Sequence, residues 1–500
     1  MSQRTSASSS QVRRTGEGTG GEGTGPDVVP TVVVVGAGIA GLAAAWALAT
    51  SDRDLHVVVL EGATRVGGKL ALDELDGVVV DVGAESLLAR RPEAVELARE
   101  VGLGGELEPP QPVGASIWSR GALRPLPPHT LMGVPSGAEG LDGLLTADEV
   151  GTVLKEPDRT WPEVDSDVDV ASFVASRVGH AVVDRLVEPL LGGVYAGRAD
   201  QLSLQATMPP VWAAAVQGRS LVSTAAAAGR PTEPTTSAPA PVFAGVRGGV
   251  GRLPLALADV LRDRSVSVLT GAMVRRLERT ATGWRVGHGP AVAEEVVEAD
   301  GVVLAVPAAP TSRLLSSVAP SAAAVLADIP YASMGIVTLV LPASDEAGQV
   351  SGSGFLVPPV EGLRVKAATF SSLKWGWLSR SATGRLVLRA SIGRYGQEDE
   401  LQHPDGDLVR AVAADLGTVL GPLPAPLASA VTRWGGGLPQ YTVGHVDRVS
   451  SVRREVARLP GLALCGAAYD GVGVPACIAS GRAAAHDVLV GLDRARSARP

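Results

Sequence analysis

The chain of 500 residues is 45% hydrophobic and 19% charged, with a formal net charge of −8. That length exceeds one ordinary core, so two domains or one large α/β body is expected. The acidic balance argues against a general nucleic-acid-binding face. Two cysteines, Cys465 and Cys477, lack the spacing and His partners of a zinc site or a disulfide scaffold, and no metal site is expected.

Two free thiols in a reducing cytoplasm are the expected state of these cysteines. Lysine occurs only at Lys69, Lys155, Lys366 and Lys374, and asparagine is absent. Arginine is thus the default cation, so its abundance carries little functional weight. A lysine that survives this bias carries more.

In chain order, residues 1–29 are rich in Ser, Gly, Thr and Glu and too poor in large apolar groups to order themselves. Arg13 and Arg14 mimic an export signal, but a long acidic, glycine-rich stretch separates them from the next apolar run. That run, 28–50, has no charged side chain and is long enough to suggest a membrane span. Its internal pattern says otherwise. Residues 32–35 are four valines, a buried-strand signature. Gly36, Ala37, Gly38, Ile39, Ala40 and Gly41 follow, then the helix former LAAAWALA. In such a turn the first glycine permits the bend, the second admits a pyrophosphate and the third lets helix and strand pack closely. The helix N-terminus adds free N–H groups and a positive dipole end. The next strand, HVVVLE, ends in Glu61, placed to accept hydrogen bonds from a ribose.

The following residues, 61–69, have the pattern ExxxRxGG, ending in Lys69. They resemble the extended nucleotide fingerprint of FAD-dependent amine oxidases, phytoene desaturases and protoporphyrinogen-type oxidases. The resemblance implies that Gly67 and Gly68 pass close to the flavin. It puts Arg65 and Lys69 near its ribityl-phosphate side. Residues 81–86, DVGAES, resemble the loop that passes the flavin ring, which implicates Gly83, Ala84, Glu85 and Ser86.

Further on, RPEAVELAREVGL has helical spacing ending at glycine. Residues 225–241 read as a flexible surface loop. VSVLTG, GVVLAVP, IVTLVLP and RLVLRASIG read as strands. DLVRAVAADLGTVLG reads as a second helix. The C-terminal GLALCGAAYDGVGVPACIASG reads as strand, glycine turn and a helix beginning near Val474. Such a helix end, aimed at the flavin, would stabilise charge that develops on reduction. It implicates Gly466, Val472, Gly473 and Val474. Val274 sits where this superfamily's adenine-side strand contacts the cofactor.

From about 32 to 485 the chain is similar to bacterial porphyrinogen oxidases of haem synthesis. The resemblance is carried by GGVYAGRADQLSLQATMP, FAGVRGGVGRLPLAL, SSLKW, RASIGRYGQ and WGGGLPQYTVGH, which includes Trp434. It implies an α/β fold with a discontinuous Rossmann-like FAD-binding domain at 30–90, 242–308 and 430–490. A mixed α+β substrate-binding domain takes 91–241 and 309–429. It further implies a tetrapyrrole substrate, FAD as cofactor, and O₂ as acceptor with release of hydrogen peroxide. A cytoplasmic location, at most transient membrane-surface contact and hand-off to the next enzyme follow from the same resemblance. The cofactor carries the hard chemistry, so no catalytic side chain is expected. Arg90, Arg91 and Arg394 are the candidates for substrate propionates. Coproporphyrinogen III is the expected substrate and protoporphyrinogen IX the alternative. An FAD amine oxidase is disfavoured because aromatics total 3%. A flavin-free prenyl-protein chaperone is disfavoured by the intact motif at 65–69.

Overall fold

A computed structural model describes residues 29–228, 241–343 and 350–497. The tail expected to be disordered, 1–29, falls outside these residues except for its last member, and so does most of the expected loop at 225–241.

Consecutive β-branched side chains favour extended backbone, and Thr31–Val35 is a strand. Val32 and Val34 face one apolar cluster; Val33 and Val35 face another. A strand covered on both faces belongs inside a parallel sheet. It is the central strand of five, in the order Ser267–Leu269, His56–Leu60, Thr31–Val35, Gly301–Leu304, Leu462–Leu464, and every neighbouring pair is parallel. Segments from the start, middle and end of the sequence thus share one sheet.

On one face lie the helices Ile39–Ala49, Arg252–Asp263 and Val474–Ser497. A Cβ at Gly481 would lie 2.1 Å from the Ala40 carbonyl oxygen, so the first and last of these helices meet backbone to backbone there. The other face is covered by an antiparallel sheet, Val274–Arg279, Trp284–His288 and Glu295–Ala299, and by the helices Ala308–Leu315, Pro320–Ala327 and His445–Val456. The uncharged run is therefore strand, turn and packed helix. Among the described residues no helix is long and apolar enough to cross a membrane.

The second body is a seven-stranded sheet. Its order is Ala428–Pro439, Tyr331–Pro342, Arg385–Ile392, Ala367–Phe370, Gly354–Leu356, Ala115–Ser119, Ala122–Pro125. One face packs on the helix Asp405–Leu420. A helical lobe beside it, including Val170–Val178, Glu188–Tyr195 and Leu221–Ala228, has its own core.

The expected strands and helices form where the patterns put them. The two predicted helices end at Glu100 and Leu420, and Gly102 and Gly421 follow with φ of 81° and 86°. One expectation changes. Residues 225–228, where a loop was expected, are the last turn of the helix Leu221–Ala228, in which Ala225 is buried. Ala428–Pro439, which spans the boundary expected at 430, is an edge strand of the seven-stranded sheet and pairs with Tyr331–Pro342 on both sides of an irregularity between Ala332 and Met334.

Candidate cofactor site

The glycine turn is closed where backbone crosses it and open where a ligand would lie. Gly36 has φ of 102°, and its N–H donates to Leu60 O at 2.8 Å. A Cβ at Gly41 would stand 1.9 Å from Gly36 O, so only glycine lets the helix return onto the strand. A Cβ at Gly38 would meet nothing within 4 Å. Gly38 also caps the helix Ile39–Ala49 with no side-chain hydrogen bond and no acid in its first turn. The positive helix end thus faces open space, a fit for a pyrophosphate beside Ile39 and Ala40.

Glu61 braces this turn. Its Oε2 accepts the Ala37 N–H at 2.7 Å and its Oε1 accepts the Ala63 N–H at 2.8 Å. The sequence reading gave Glu61 to a ribose alone; the carboxylate first fixes the turn, and each oxygen keeps a further lone pair for a hydroxyl. Backbone bonds from Ala272 to Glu61 O and from Gly271 to Ala63 O, both 2.8 Å, bring the chain just before Val274 alongside.

The 65–69 segment is stitched to the glycine turn. Gly67 N–H donates to Ala37 O at 2.8 Å, and Gly67 and Gly68 have φ of 100° and 55°. A Cβ at Gly68 would come within 3.4 Å of the Gly38 Cα. Arg65 donates to Val66 O and Gly68 O at 3.3 and 2.9 Å, and its guanidinium lies 5.8 Å from the Trp434 ring centre. The Lys69 ammonium has no hydrogen bond or ion pair among the described residues. Burial lowers its pKa, and the nearby Cys477 opposes this weakly.

The 81–86 loop is held more tightly than its glycine suggests. A Cβ at Gly83 would lie 1.8 Å from Lys69 O. The Ala84 N–H donates to that same oxygen at 3.3 Å. Trp434 Nε1–H donates to Val82 O at 3.0 Å, and Arg389 Nη2 donates to Gly83 O at 2.5 Å. Glu85 accepts from Arg389 at 2.5 Å, Lys374 at 2.8 Å and Ser371 at 2.8 Å. Lys374 also reaches Ser86 Oγ at 3.4 Å. Burial pushes the Glu85 carboxyl up, but Lys374 and Arg389 outweigh it and hold it well below the usual range. Asp81 behaves oppositely. Burial pushes it up to about 6, although it accepts the Val250 and Gly251 N–H groups at 2.9 Å each.

The C-terminal half closes the site. Cys465 N–H donates to Leu304 O at 3.0 Å, and Gly466, with φ of 121°, opens the turn. Tyr441 OH donates to Ala467 O at 2.5 Å and accepts the Gly471 N–H at 2.8 Å, holding the loop before Val472. Gly473 is exposed, and the helix starts at Val474. Cys477, in its first turn, lies close enough to Lys69 for the ammonium to lower its raised pKa.

The three arginines are not brought together. Arg90 is exposed and unpaired among the described residues. Arg91 pairs with Glu93 at the start of its helix. Arg394 is 8% exposed, donates to Val357 O at 3.3 Å and lines a separate cavity of about 290 Å³ with Glu188, Arg198 and Asp200. None of the glycine-turn residues lines that cavity. Sequence reasoning missed Arg389, Lys374 and Ser371. SSLKW and RASIG marked the places without roles, and the rarity of lysine was the usable signal for Lys374.

Comparison with known proteins adds the family. A model described as flavin containing amine oxidoreductase matches residues 39–489. A coproporphyrinogen III oxidase of Mycobacterium tuberculosis is 38% identical over 92% of this chain and 97% of its own length. A protoporphyrinogen oxidase of Macaca fascicularis is 32% identical over 92% and 98%. A crystal structure from Exiguobacterium sp. 255-15, described as a provisional protoporphyrinogen oxidase, superposes with a TM-score of 0.79 at 31% identity, covering 93% of this chain and 99% of that one.

Proposed function

Because the chain belongs to the flavin-containing amine oxidoreductase family and is an FAD-dependent oxidase, we propose that it oxidises coproporphyrinogen III to coproporphyrin III. The observation that carries the substrate is the 38% identity, over 92% of this chain, with the mycobacterial coproporphyrinogen III oxidase. Electrons pass to O₂, which leaves as hydrogen peroxide. The 32% identity with the macaque protein keeps protoporphyrinogen IX as the second reading.

FAD, when bound, accepts two electrons per turn, so three turns complete the six-electron oxidation. The protein binds and orients. Gly36, Ala37, Gly38, Ile39, Ala40 and Gly41 hold the pyrophosphate, Glu61 a ribose, and Val274 the adenine side. Gly68, Lys69, residues 83–86, Trp434, Gly466 and residues 472–474 surround the flavin. The FAD-binding unit is drawn from 30–90, 242–308 and the residues after Pro439, supported by the origin of the five parallel strands. Arg90, exposed and unpaired beyond the 81–86 loop, is the propionate partner proposed here; Arg91 and Arg394 are already engaged by Glu93 and Val357 O.

The test is an aerobic assay of the FAD-loaded protein with each porphyrinogen, read by porphyrin fluorescence. Faster oxidation of coproporphyrinogen III is expected. Equal inertness towards both overturns the reading, and a preference for protoporphyrinogen IX replaces the substrate.

A further inference from the structure

Resting on the proposed flavin site, we infer that Arg389, carried by the seven-stranded sheet, is a positioning residue for the loop 82–86. Through that loop it sets how the protein meets the flavin.

The peptide unit joining Gly83 to Ala84 is pinned at both ends. Its carbonyl accepts from Arg389 Nη2, and its N–H donates to Lys69 O. Ala84 itself is exposed, and the Glu85 and Ser86 N–H groups donate to no protein atom among the described residues. Fixing the first peptide from behind therefore leaves the next two donors directed by the loop alone. Arg389 sits on the strand Arg385–Ile392, outside the parallel-sheet unit that carries the loop.

The anchor is built for direction as well as charge. A guanidinium presents a rigid fork. One nitrogen bonds the Glu85 carboxylate and the other the Gly83 carbonyl, and the side chain is 7% exposed. Lys374 holds the other oxygen, Oε1, and Ser371 shares Oε2 with Arg389, so the carboxylate is held in place when the cation at 389 is displaced. A lysine at 389 would keep the charge but, as a single point donor, could not span both acceptors. Two roles therefore separate: charge balance for Glu85, which lysine supplies, and orientation of the 83–84 peptide, which it does not.

The experiment compares the FAD-loaded wild type with Arg389→Lys and Arg389→Met. Bound-flavin absorption, flavin midpoint potential, thermal midpoint, and kcat and KM with coproporphyrinogen III are measured. Arg389→Lys should keep its FAD and a near wild-type thermal midpoint. Its flavin spectrum and potential should shift, and kcat should fall about 10- to 100-fold with KM little changed, as sub-ångström misplacement at a reacting centre predicts. Arg389→Met should show the same shift with a lower thermal midpoint. If it does not fold, Arg389→Lys decides alone. A lysine variant with spectrum, potential and kcat superimposable on wild type overturns the inference while leaving the flavin reading intact. A wild type that retains no FAD overturns both.

Discussion

Two buried carboxylate–arginine clusters in this molecule use the same chemistry to different ends. In the helical lobe, Glu156 is fully buried and accepts the Leu221 and Val222 N–H groups at 2.9 and 3.2 Å and the Ser220 hydroxyl. Arg177 lies 3.7 Å away, over the rings of Trp161 and Phe173. Every partner belongs to the lobe, so this cluster staples helices together. At the cofactor site, Glu85 has two cations rather than one, and its arginine also grips a loop carbonyl on another sheet unit. Burial and pairing do not by themselves separate the two, because structural ion-pair networks perturb their groups as functional ones do. What distinguishes the second is the loop carbonyl it also bonds, on a strand-loop outside its own sheet.

The largest effect is expected from one substitution in the glycine turn. Gly38→Glu should abolish FAD retention, because the charged side chain enters the pyrophosphate space. Gly38 has an ordinary φ of −69° and an open Cβ direction, so the fold should survive. Flavin-to-protein ratio and the thermal midpoint of the apoprotein measure the two effects. Stoichiometric FAD in the variant would break the cradle assignment.

Glu156→Gln should do the reverse. Leaving Arg177 buried without its counter-ion should cost about 3–5 kcal/mol, read by denaturant unfolding, while the flavin spectrum of the folded fraction stays unchanged. A spectral shift there would erase the distinction between the clusters.

The smallest effect is one of pH. Glu85 is held below its ordinary pKa of 4.5, so the unfolded state binds more protons in acid. Its stabilising contribution is full above about pH 4.5 and is lost as pH falls. Asp81, raised to about 6 from 3.8, acts oppositely: its folded state binds more protons between those values, so stability falls as pH rises through them. Glu85→Gln should flatten the acid limb by at most about 1.4 kcal/mol per pH unit and, because the Glu85 charge helps to raise Asp81, should also shrink the Asp81 slope. Unfolding free energies from pH 3 to 7 provide the measurement, and an unchanged acid limb would contradict the assigned charge pairing.

Much of the nucleotide end was legible in sequence because its determinants are local. Strand, glycine turn and helix lie within twenty-odd residues, and each glycine has a steric reason. The flavin end was legible only as marked places. Lysine rarity marked Lys69 and Lys374, which lie at the candidate site, yet the same signal covers Lys155, which is exposed, and Lys366, which is buried beside Arg394 and lowered to about 7 by that burial. Rarity alone could not separate these roles.

Arginine was the least legible. Arg90, Arg91 and Arg394 were the sequence candidates, whereas Arg389, five positions before Arg394, does the bridging. Strand alternation explains the miss. Which face of Arg385–Ile392 meets the 81–86 loop depends on a register with Tyr331–Pro342 and Ala367–Phe370 that no local pattern specifies.

The sequence by itself determined the turn at 36–41, the acid at Glu61 and the elements that bury the uncharged run. Those features follow from backbone sterics and apolar periodicity over short spans. Only the tertiary structure decided that residues 83–86, 371–374, 389 and 434 form one cluster. Charge pairing and loop orientation there depend on contacts between segments roughly 300 residues apart, which are set by how two sheets pack.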